Sequence, residues 1–189
     1  MGIDPAHRRG VPHRLPVREV ALLPIQPVGG LALGQIAVAL RSRGVSVKIE
    51  HPILRPPGSY DELRRQLKAD VLLARVALSH ERPVLGVTDA DCYAGQLNFV
   101  FGTAEVGGGI AVASLYRLRT HATTSSFMER AMKEIFHELG HATGLRHCEN
   151  PHCVMHFSNS LAETDAKDEE LCLDCLRRVR FPRGSHRHS

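Results

Sequence analysis

Residues 137–147 read HELGHATGLRH, a stretch that places three histidines and one glutamate within eleven residues. His137 and His141 are four residues apart, so on a helix their imidazoles project from the same face, one turn apart. Two imidazole nitrogens arranged in this way can bind the same zinc ion. The stretch therefore predicts a helix that carries a metal site.

The other polar residues of the stretch complete a catalytic set. Glu138 lies about 100° further round the helix than His137, close to the metal without pointing at it, which suits a general base. Gly144 can take a left-handed conformation that ends the helix and turns the chain back, so that His147 reaches the same ion. Three protein ligands leave one position for water, as catalytic zinc sites do. The alternative is a helix that carries histidines by chance, but the full pattern is much rarer than its HExxH core.

Four of the five cysteines follow in two pairs. Cys148 and Cys153 have four residues between them, and Cys172 and Cys175 have two, spacings that suit two short loops around a tetrahedral zinc. Two disulfides are the alternative. Residues 1–16 contain three arginines and no apolar core, unlike a secretory signal. We therefore expect a cytoplasmic, reducing environment, in which zinc is favoured.

Met155 stands eight residues after His147. Taken alone, a methionine here could be core filler. Together with the HExxHxxGxxH pattern it matches the metzincin metallopeptidases, in which a tight turn carrying methionine lies beneath the zinc-binding histidines. Cys148, directly after the third histidine, narrows the match, because other metzincins lack a zinc-linked cysteine quartet. Residues 137–175 thus resemble the archaemetzincin family of zinc metallopeptidases.

The resemblance implies two zinc ions per chain, one catalytic and one structural. It implies a catalytic zinc bound by His137, His141 and His147, with Glu138 as the general base and Met155 as the turn methionine. It also implies a structural zinc bound by Cys148, Cys153, Cys172 and Cys175. Phe157 stands where several metzincin families have a tyrosine that binds metal or stabilises the oxyanion, so any such role must come from elsewhere. His156 is either an accidental ligand or a packed or solvated histidine.

Upstream of the stretch, the sequence predicts an α/β fold. Apolar and alternating runs predict strands, and helical spacing predicts helices. The predicted strands cover residues 17–25, 45–53, 83–87, 97–101 and 110–115. The predicted helices cover 31–43 and, as one or two helices, 60–78. Ser126 and Glu129 have capping-box spacing and are expected to open the active-site helix. The apolar stripe that docks this helix on the sheet comprises Met128, Ala131, Met132, Ile135 and Leu139.

The fold class implied by the resemblance is metzincin-like. It combines a twisted, mixed and mostly parallel sheet, an antiparallel edge strand, a long active-site helix and a small zinc-stabilised C-terminal subdomain. An unpaired strand edge can bind the main chain of an extended peptide. Residues 97–101, or the turn beside them, are the candidate for this edge. The alternative is a plain sheet edge guarded by residues 107–109.

A chain of 189 residues with 43% hydrophobic residues is long and apolar enough for one domain with a real core. We expect a single catalytic domain over residues 1–189. Its expected parts are an N-terminal tail (1–16), the sheet and active-site helix (17–147), a part with the second zinc (148–176) and a basic tail (177–189).

The charge pattern and the odd cysteine add weaker signals. The net charge of +4 comes from 24 basic and 20 acidic residues, and the apolar stretches at 20–25 and 71–78 are too short to cross a membrane. The C-terminal arginines, a possible nucleic-acid contact but more commonly a solvated tail, are Arg177, Arg178, Arg180, Arg183 and Arg187. Cys92 has no basic neighbour in sequence, so we expect it to pack as a small hydrophobe. Asp89 and Asp91 beside it could orient the active site or form a turn.

Three functions are compatible with these patterns. The leading hypothesis is a zinc-dependent peptidase that acts on a peptide or protein substrate, with Glu138 as the base. The second is a zinc-stabilised peptide-binding module with little or no proteolytic activity. The third, a nucleic-acid binder, rests only on the arginines and the cysteine loops. We expect no membrane partner, and the oligomeric state stays open.

Overall fold

The computed structural model describes residues 15–179, so the predictions for the outer parts of both tails lie outside the described residues. Along the chain the elements are β1 (Glu19–Pro24), α1 (Gly30–Ser42), β2 (Ser46–Ile49), β3 (Tyr60–Asp61), β4 (Gln66–Lys68), α2 (Ala69–Val76), β5 (Val84–Thr88), β6 (Cys92–Tyr93), β7 (Gly102–Glu105), β8 (Ile110–Ser114), a 3-10 turn (Arg117–Arg119), α3 (Thr124–Ala142), α4 (Leu161–Ala166) and α5 (Leu173–Arg178). No helix in this part of the chain is long and apolar enough to cross a membrane.

Five strands form the main sheet, in the order β2, β1, β5, β8, β7. The first four run parallel, whereas β7 pairs antiparallel with β8 and forms one edge. The predicted fold class, a mixed and mostly parallel sheet with an antiparallel edge strand and a long helix, is confirmed. Three short strands, β3, β4 and β6, form a second, unpredicted sheet.

The central strands bury side chains on both faces. In β1, Val20 and Leu22 face a core shared with α1 and α3, while Ala21 and Leu23 face a core shared with α2 and the small sheet. Successive residues of a strand point to opposite faces, so an apolar run such as β1 needs cover on both sides. The molecule therefore has three layers, with α1 and α3 on one face of the sheet and α2 on the other.

The prediction of helix over residues 60–78 is wrong for its first half. Only α2 is helical, and β3 and β4 precede it. The Asp61 carboxylate accepts hydrogen bonds from the N–H groups of Leu63 (3.1 Å) and Arg64 (3.0 Å), and Arg65 has a φ of 56°. An aspartate that caps its own turn, followed by a left-handed residue, turns the chain back instead of continuing a helix.

The prediction of a strand at residues 97–101 is also wrong, because the edge strand is the next segment, β7. Its sequence, GTAE, has one β-branched residue, Thr103, and no aromatic residue, so β-propensity hardly identifies it as a strand. Its antiparallel pairing with β8 fixes its conformation instead.

Helix α3 begins earlier than the predicted capping box. Thr123 is the N-cap: its hydroxyl accepts from the N–H of Ser126 at 3.2 Å, and its own N–H donates to the Ser126 hydroxyl at 2.9 Å. Ser126 thus occupies the third helical position, and Glu129 does not cap the helix. The predicted stripe packs into the core, although Met128 is only half-buried.

Candidate metal centres and active-site cleft

The C-terminal end of α3 directs the chain back towards its own histidines. Gly144 has a φ of 100°, its N–H bonds to the carbonyl of His141 at 2.8 Å, and the N–H of Leu145 bonds to the carbonyl of Gly140 at 2.9 Å. These two bonds define a Schellman turn, in which a left-handed residue closes the helix. The glycine therefore acts as predicted and brings His147 back to the cluster.

The structure brings the three predicted histidines together. One ring nitrogen from each of His137, His141 and His147 lies within 4.8 Å of the others, and the Nε2 atoms of His137 and His141 are 3.1 Å apart. His137 is buried, His141 is half-buried and His147 is exposed. Ring nitrogens this close fit a single ion bound by three imidazoles.

Backbone carbonyls orient two of the rings. The Nδ1 atoms of His137 and His141 lie 2.8 Å from the carbonyl oxygens of Val154 and Leu145. A carbonyl only accepts, so Nδ1 carries the proton and Nε2 keeps a free lone pair for a metal. Desolvation by burial lowers the pKa of all three histidines, including His147. The neutral imidazoles that zinc requires are thus favoured.

Glu138 lies beside the cluster, under the edge strand. Its side chain is 5% exposed, and burial, followed by the charge of Glu134, raises its pKa well above the usual value, while Lys167 acts in the opposite sense. At Gly102 in β7, an added Cβ would lie 2.5 Å from the Cγ of Glu138. Because Gly102 has no side chain, the edge strand can pass directly over this carboxyl group.

Met155 forms the floor of the cluster. It is fully buried, and a Cβ added at Gly140, between His137 and His141 in sequence, would collide with its sulfur atom. A glycine in the middle of the HExxH helix therefore leaves room for the thioether. This is the position predicted for the turn methionine.

The turn between β7 and β8 is fastened to the end of α3. The Gly107 N–H bonds to the carbonyl of His141, which also accepts from Gly144, and the Gly109 N–H bonds to the carbonyl of Ala142, each at 2.9 Å. The glycine run thus caps the active-site helix and ties the edge strand to it. This role was not predicted from the sequence.

A cleft of about 590 Å³ runs between the edge strand and the histidines. Residues 97–104 and Val106 form one wall, Glu134 and Glu138 belong to its base, and Phe157 to Asn159 form the opposite wall with His147. A cleft with an exposed strand edge on one side and a metal cluster below can hold an extended chain over the metal.

Glu134, at the base of the cleft, forms a buried ion pair with Lys167. Lys167 Nζ lies 3.0 Å from Glu134 Oε1 and 3.4 Å from the carbonyl oxygen of His156, and the Thr164 hydroxyl donates to the same glutamate oxygen at 3.0 Å. No motif in the sequence pointed to this ion pair. The only local signal was the position of Glu134, one helical turn before Glu138.

The four predicted cysteines form a second cluster. The sulfur atoms of Cys148, Cys153, Cys172 and Cys175 lie within 4.8 Å of one another, and all five cysteines of the chain are free. The disulfide alternative is therefore wrong for this structure. Desolvation opposes ionisation of Cys172, but hydrogen bonds from the Cys175 N–H and from neighbouring thiols lower its pKa to about 7. Four converging thiols, one of them readily ionised, fit a tetrahedral zinc.

The remaining candidates lie outside both clusters. Cys92 is buried, and desolvation raises its pKa to about 12, as expected of an inert core thiol. The Nδ1 atom of His156 donates to the Cys148 carbonyl at 2.9 Å, because a carbonyl only accepts, so His156 is a packed histidine. Asp89 accepts from the Gly29 N–H at 2.6 Å, and Asp91 pairs with an arginine of the 3-10 turn, so both aspartates fasten loops.

Comparisons with known proteins agree with this geometry. Residues 58–181 match the model of peptidase family M54. An archaemetzincin from Pyrococcus furiosus is 42% identical over 154 residues, which cover 75% of this chain and 80% of that protein. The crystal structure of an archaemetzincin from Archaeoglobus fulgidus, complexed with malonate, has a TM-score of 0.77 at 34% identity, covering 85% of this chain and 99% of that one. A zinc-dependent peptidase from Methanocorpusculum labreanum has a TM-score of 0.70 at 27% identity, covering 85% and 100%.

The fold, the histidine cluster and these similarities define a zinc metallopeptidase, a hydrolase. The family predicted from the sequence motifs is confirmed. The chain belongs to peptidase family M54. The curated relatives that it resembles are named archaemetzincins.

Proposed function

We propose that the chain hydrolyses peptide bonds with a zinc ion on His137, His141 and His147 and with Glu138 as the general base. The observation that carries this proposal is the buried carboxyl group of Glu138 beside three converging imidazoles, at the base of a cleft. A second zinc on the cysteine cluster has a structural role, which gives two ions per chain.

The substrate is an extended peptide or protein segment that binds along β7. The Phe101 carbonyl accepts from the Ser114 N–H at 2.8 Å, so residues 101 and 114 form a hydrogen-bonded pair. Such pairs alternate in an antiparallel ladder, and the backbone groups of Gly102 and Ala104 therefore point away from β8, towards a free edge. These groups can extend the ladder to a bound chain.

Zinc bound by three imidazoles supplies a Lewis acid that polarises a carbonyl and makes water nucleophilic near neutral pH. Glu138 accepts the proton of the attacking water and returns it to the leaving amine. Its raised pKa suits a carboxylate that must hold a proton between these two steps. His137 and His141 stay neutral and oriented through their carbonyl partners.

The free thiols also support the expectation of a reducing, cytoplasmic environment. The second candidate function, a peptide-binding module without activity, would use the same cleft and edge strand. The presence of the base together with the ligands favours the peptidase, because binding alone does not require a buried carboxyl group beside the cluster.

The test compares the wild type with Glu138→Gln on a peptide mixture analysed by mass spectrometry. We expect the wild type to cleave peptides and the variant to keep its zinc but lose about 10²-fold or more in kcat, the usual contribution of a general base. Glu129→Gln, on the exposed face of the same helix, is the matched control and should cleave normally. Equal cleavage by Glu138→Gln would refute the mechanism, and peptides bound but never cut by the wild type would favour the binding module.

A further inference from the structure

The three imidazoles of the cluster are held unequally. His137 and His141 each have a ring nitrogen 2.8 Å from a backbone carbonyl oxygen. Within residues 15–179, by contrast, no hydrogen bond reaches the ring of His147, which is also the exposed member of the cluster. A ligand histidine usually needs a partner on its second nitrogen to fix its orientation.

His147 is held instead by aromatic contacts. Its ring stacks on that of His137, with centroids 5.3 Å apart and an interplanar angle of 26°. On another side the ring of Phe157 meets it in an edge contact, with centroids 5.1 Å apart at 63°. Edge-to-face pairs at this separation are attractive and directional. The His141 ring also meets it in an edge contact, with centroids 4.8 Å apart at 78°. Of these three neighbours, only Phe157 is not itself a candidate metal ligand.

Phe157 is placed by the turn that carries Met155. Just before it, the His156 N–H bonds to the Cys153 carbonyl at 2.9 Å, and the His156 ring bonds to the Cys148 carbonyl at 2.9 Å. Two hydrogen bonds thus hold His156, the residue before Phe157, and one of them reaches Cys148, the residue that follows His147. The phenylalanine side chain keeps 45% of its surface exposed, so its position does not come from burial in the core.

We propose that Phe157 is the positioning residue of the third ligand, its ring fixing the orientation of His147 in place of the hydrogen bond that the other two histidines have. The proposal rests on the zinc site of the proposed function, but not on catalysis. Without the ring, the exposed His147 side chain would have to be ordered by the metal itself, and the affinity of the site would fall.

The test measures zinc affinity at the histidine site of the full chain by competition with a chromogenic chelator. It also records the visible absorption spectrum after Co²⁺ replaces zinc there. Phe157→Ala should weaken zinc binding about 10- to 100-fold, the usual cost of removing an outer partner of a ligand. Its Co²⁺ spectrum should change in intensity, whereas Phe157→Trp, which keeps an aromatic ring at this half-exposed position, should stay close to the wild type.

Leu97→Ala is the matched control. Leu97 lines the same cleft and is 50% exposed, but it makes no ring contact with a ligand, so its replacement should leave zinc affinity unchanged. Phe157→Leu keeps an apolar side chain without the ring and should lose affinity as the alanine variant does. If the alanine variant does not fold, the zinc affinity of the leucine variant tests the proposal instead.

A double-mutant cycle decides whether the effect passes through His147. In a His147→Ala background, Phe157→Ala should cause no further loss of affinity. The same loss in both backgrounds, or wild-type affinity in the single variants Phe157→Ala and Phe157→Leu, would overturn the proposal. Because every readout is metal binding, a protein that binds zinc normally but cleaves no peptide would refute the proposed function and leave this result intact.

Discussion

In the edge strand β7, Gly102 lies directly against Glu138, the proposed general base. A Cβ added there would lie 2.5 Å from the Cγ of Glu138 and 2.6 Å from the carbonyl oxygen of Val112 in β8. One neighbour is backbone, and the other is the proposed catalytic group, so neither can move without opening the sheet or displacing the base. The glycine therefore brings the proposed substrate-binding edge into contact with the proposed catalytic carboxyl group.

Gly102→Ala should reduce both stability and activity. Overpacking at this point should lower the free energy of unfolding by about 1–3 kcal/mol. A displacement of Glu138 on the scale of 1 Å should lower kcat/KM about 10²-fold at unchanged zinc content. Urea unfolding, peptide cleavage and metal analysis measure the three quantities.

Gly34→Ala is the control for this variant. It lies in α1 with no atom within 4 Å of an added Cβ, so alanine should raise the stability by about 0.5–1 kcal/mol through helix propensity. Wild-type kcat/KM in the Gly102 variant would show that the close approach has no functional consequence.

At the level of single residues, the sequence predicted what depends on local spacing. His137, His141 and Gly144 follow from the geometry of one helix and its end, which the motif contains in full. Phe157 and Lys167 did not follow, because their roles depend on contacts made across the fold. No spacing reveals that a lysine will be buried against a glutamate 33 positions earlier in the chain.

At the level of elements, the pair between Lys167 and Glu134 fastens the segment after α4 to the middle of α3. Both side chains are almost fully buried, with 0% and 4% exposed. A second pair, Arg130 with Asp165 at 2.7 Å, joins the same two helices, but the aspartate side chain is 47% exposed. The two pairs form a natural comparison between a buried and a solvated contact.

Lys167→Met should destabilise the zinc-loaded protein by about 3–5 kcal/mol, because it leaves the buried Glu134 carboxylate without its cation. Lys167→Met combined with Glu134→Leu should recover most of this loss, since two apolar side chains replace both charges. Asp165→Asn should cost less than about 1 kcal/mol. Urea unfolding measures all three, and a Lys167→Met loss no larger than that of Asp165→Asn would contradict the buried pair.

The element predictions failed where tertiary contacts override local preference. Apolar runs identified β1, β5 and β8 correctly, because strands buried on both faces need such sequences. The edge strand β7 is only half-buried, and the prediction placed it one segment too early, at residues 97–101. Its position is set by pairing with β8 and by the space that Glu138 requires, neither of which appears in the β-propensity of its residues.

At the scale of the whole molecule, the two metal clusters are mechanically joined. Cys148 directly follows His147, and its N–H bonds to the carbonyl of Met155 at 3.0 Å. Val154, whose carbonyl orients His137, donates its N–H to the carbonyl of Glu170 at 2.9 Å, in the loop that leads to Cys172. The cysteine cluster thus supports the floor of the histidine cluster and the segment of His147, whereas His137 and His141 lie on α3, which packs on the sheet.

Loss of the two metals should therefore be asymmetric. Replacing Cys172 and Cys175 by alanine should remove the structural zinc and also weaken zinc binding at the histidines. Replacing His137 and His141 by alanine should remove only the catalytic zinc. Elemental analysis should then give two zinc ions for the wild type, one for the histidine variant and fewer than one for the cysteine variant under mild chelation.

Thiol titration and amide hydrogen exchange report how the structure responds to the loss of zinc. In the native wild type no thiol should react, and after zinc removal the four clustered cysteines should react while Cys92 stays protected until denaturant is added, because it is 1% exposed and has a pKa of about 12. Structural zinc supplies on the order of 10 kcal/mol of folding free energy in small zinc-binding peptides, so residues 148–175 should lose amide protection when it leaves. If the cysteine variant instead melts as the wild type does and holds its remaining zinc equally tightly, the two clusters are independent, and the support of the active site comes from the protein core alone.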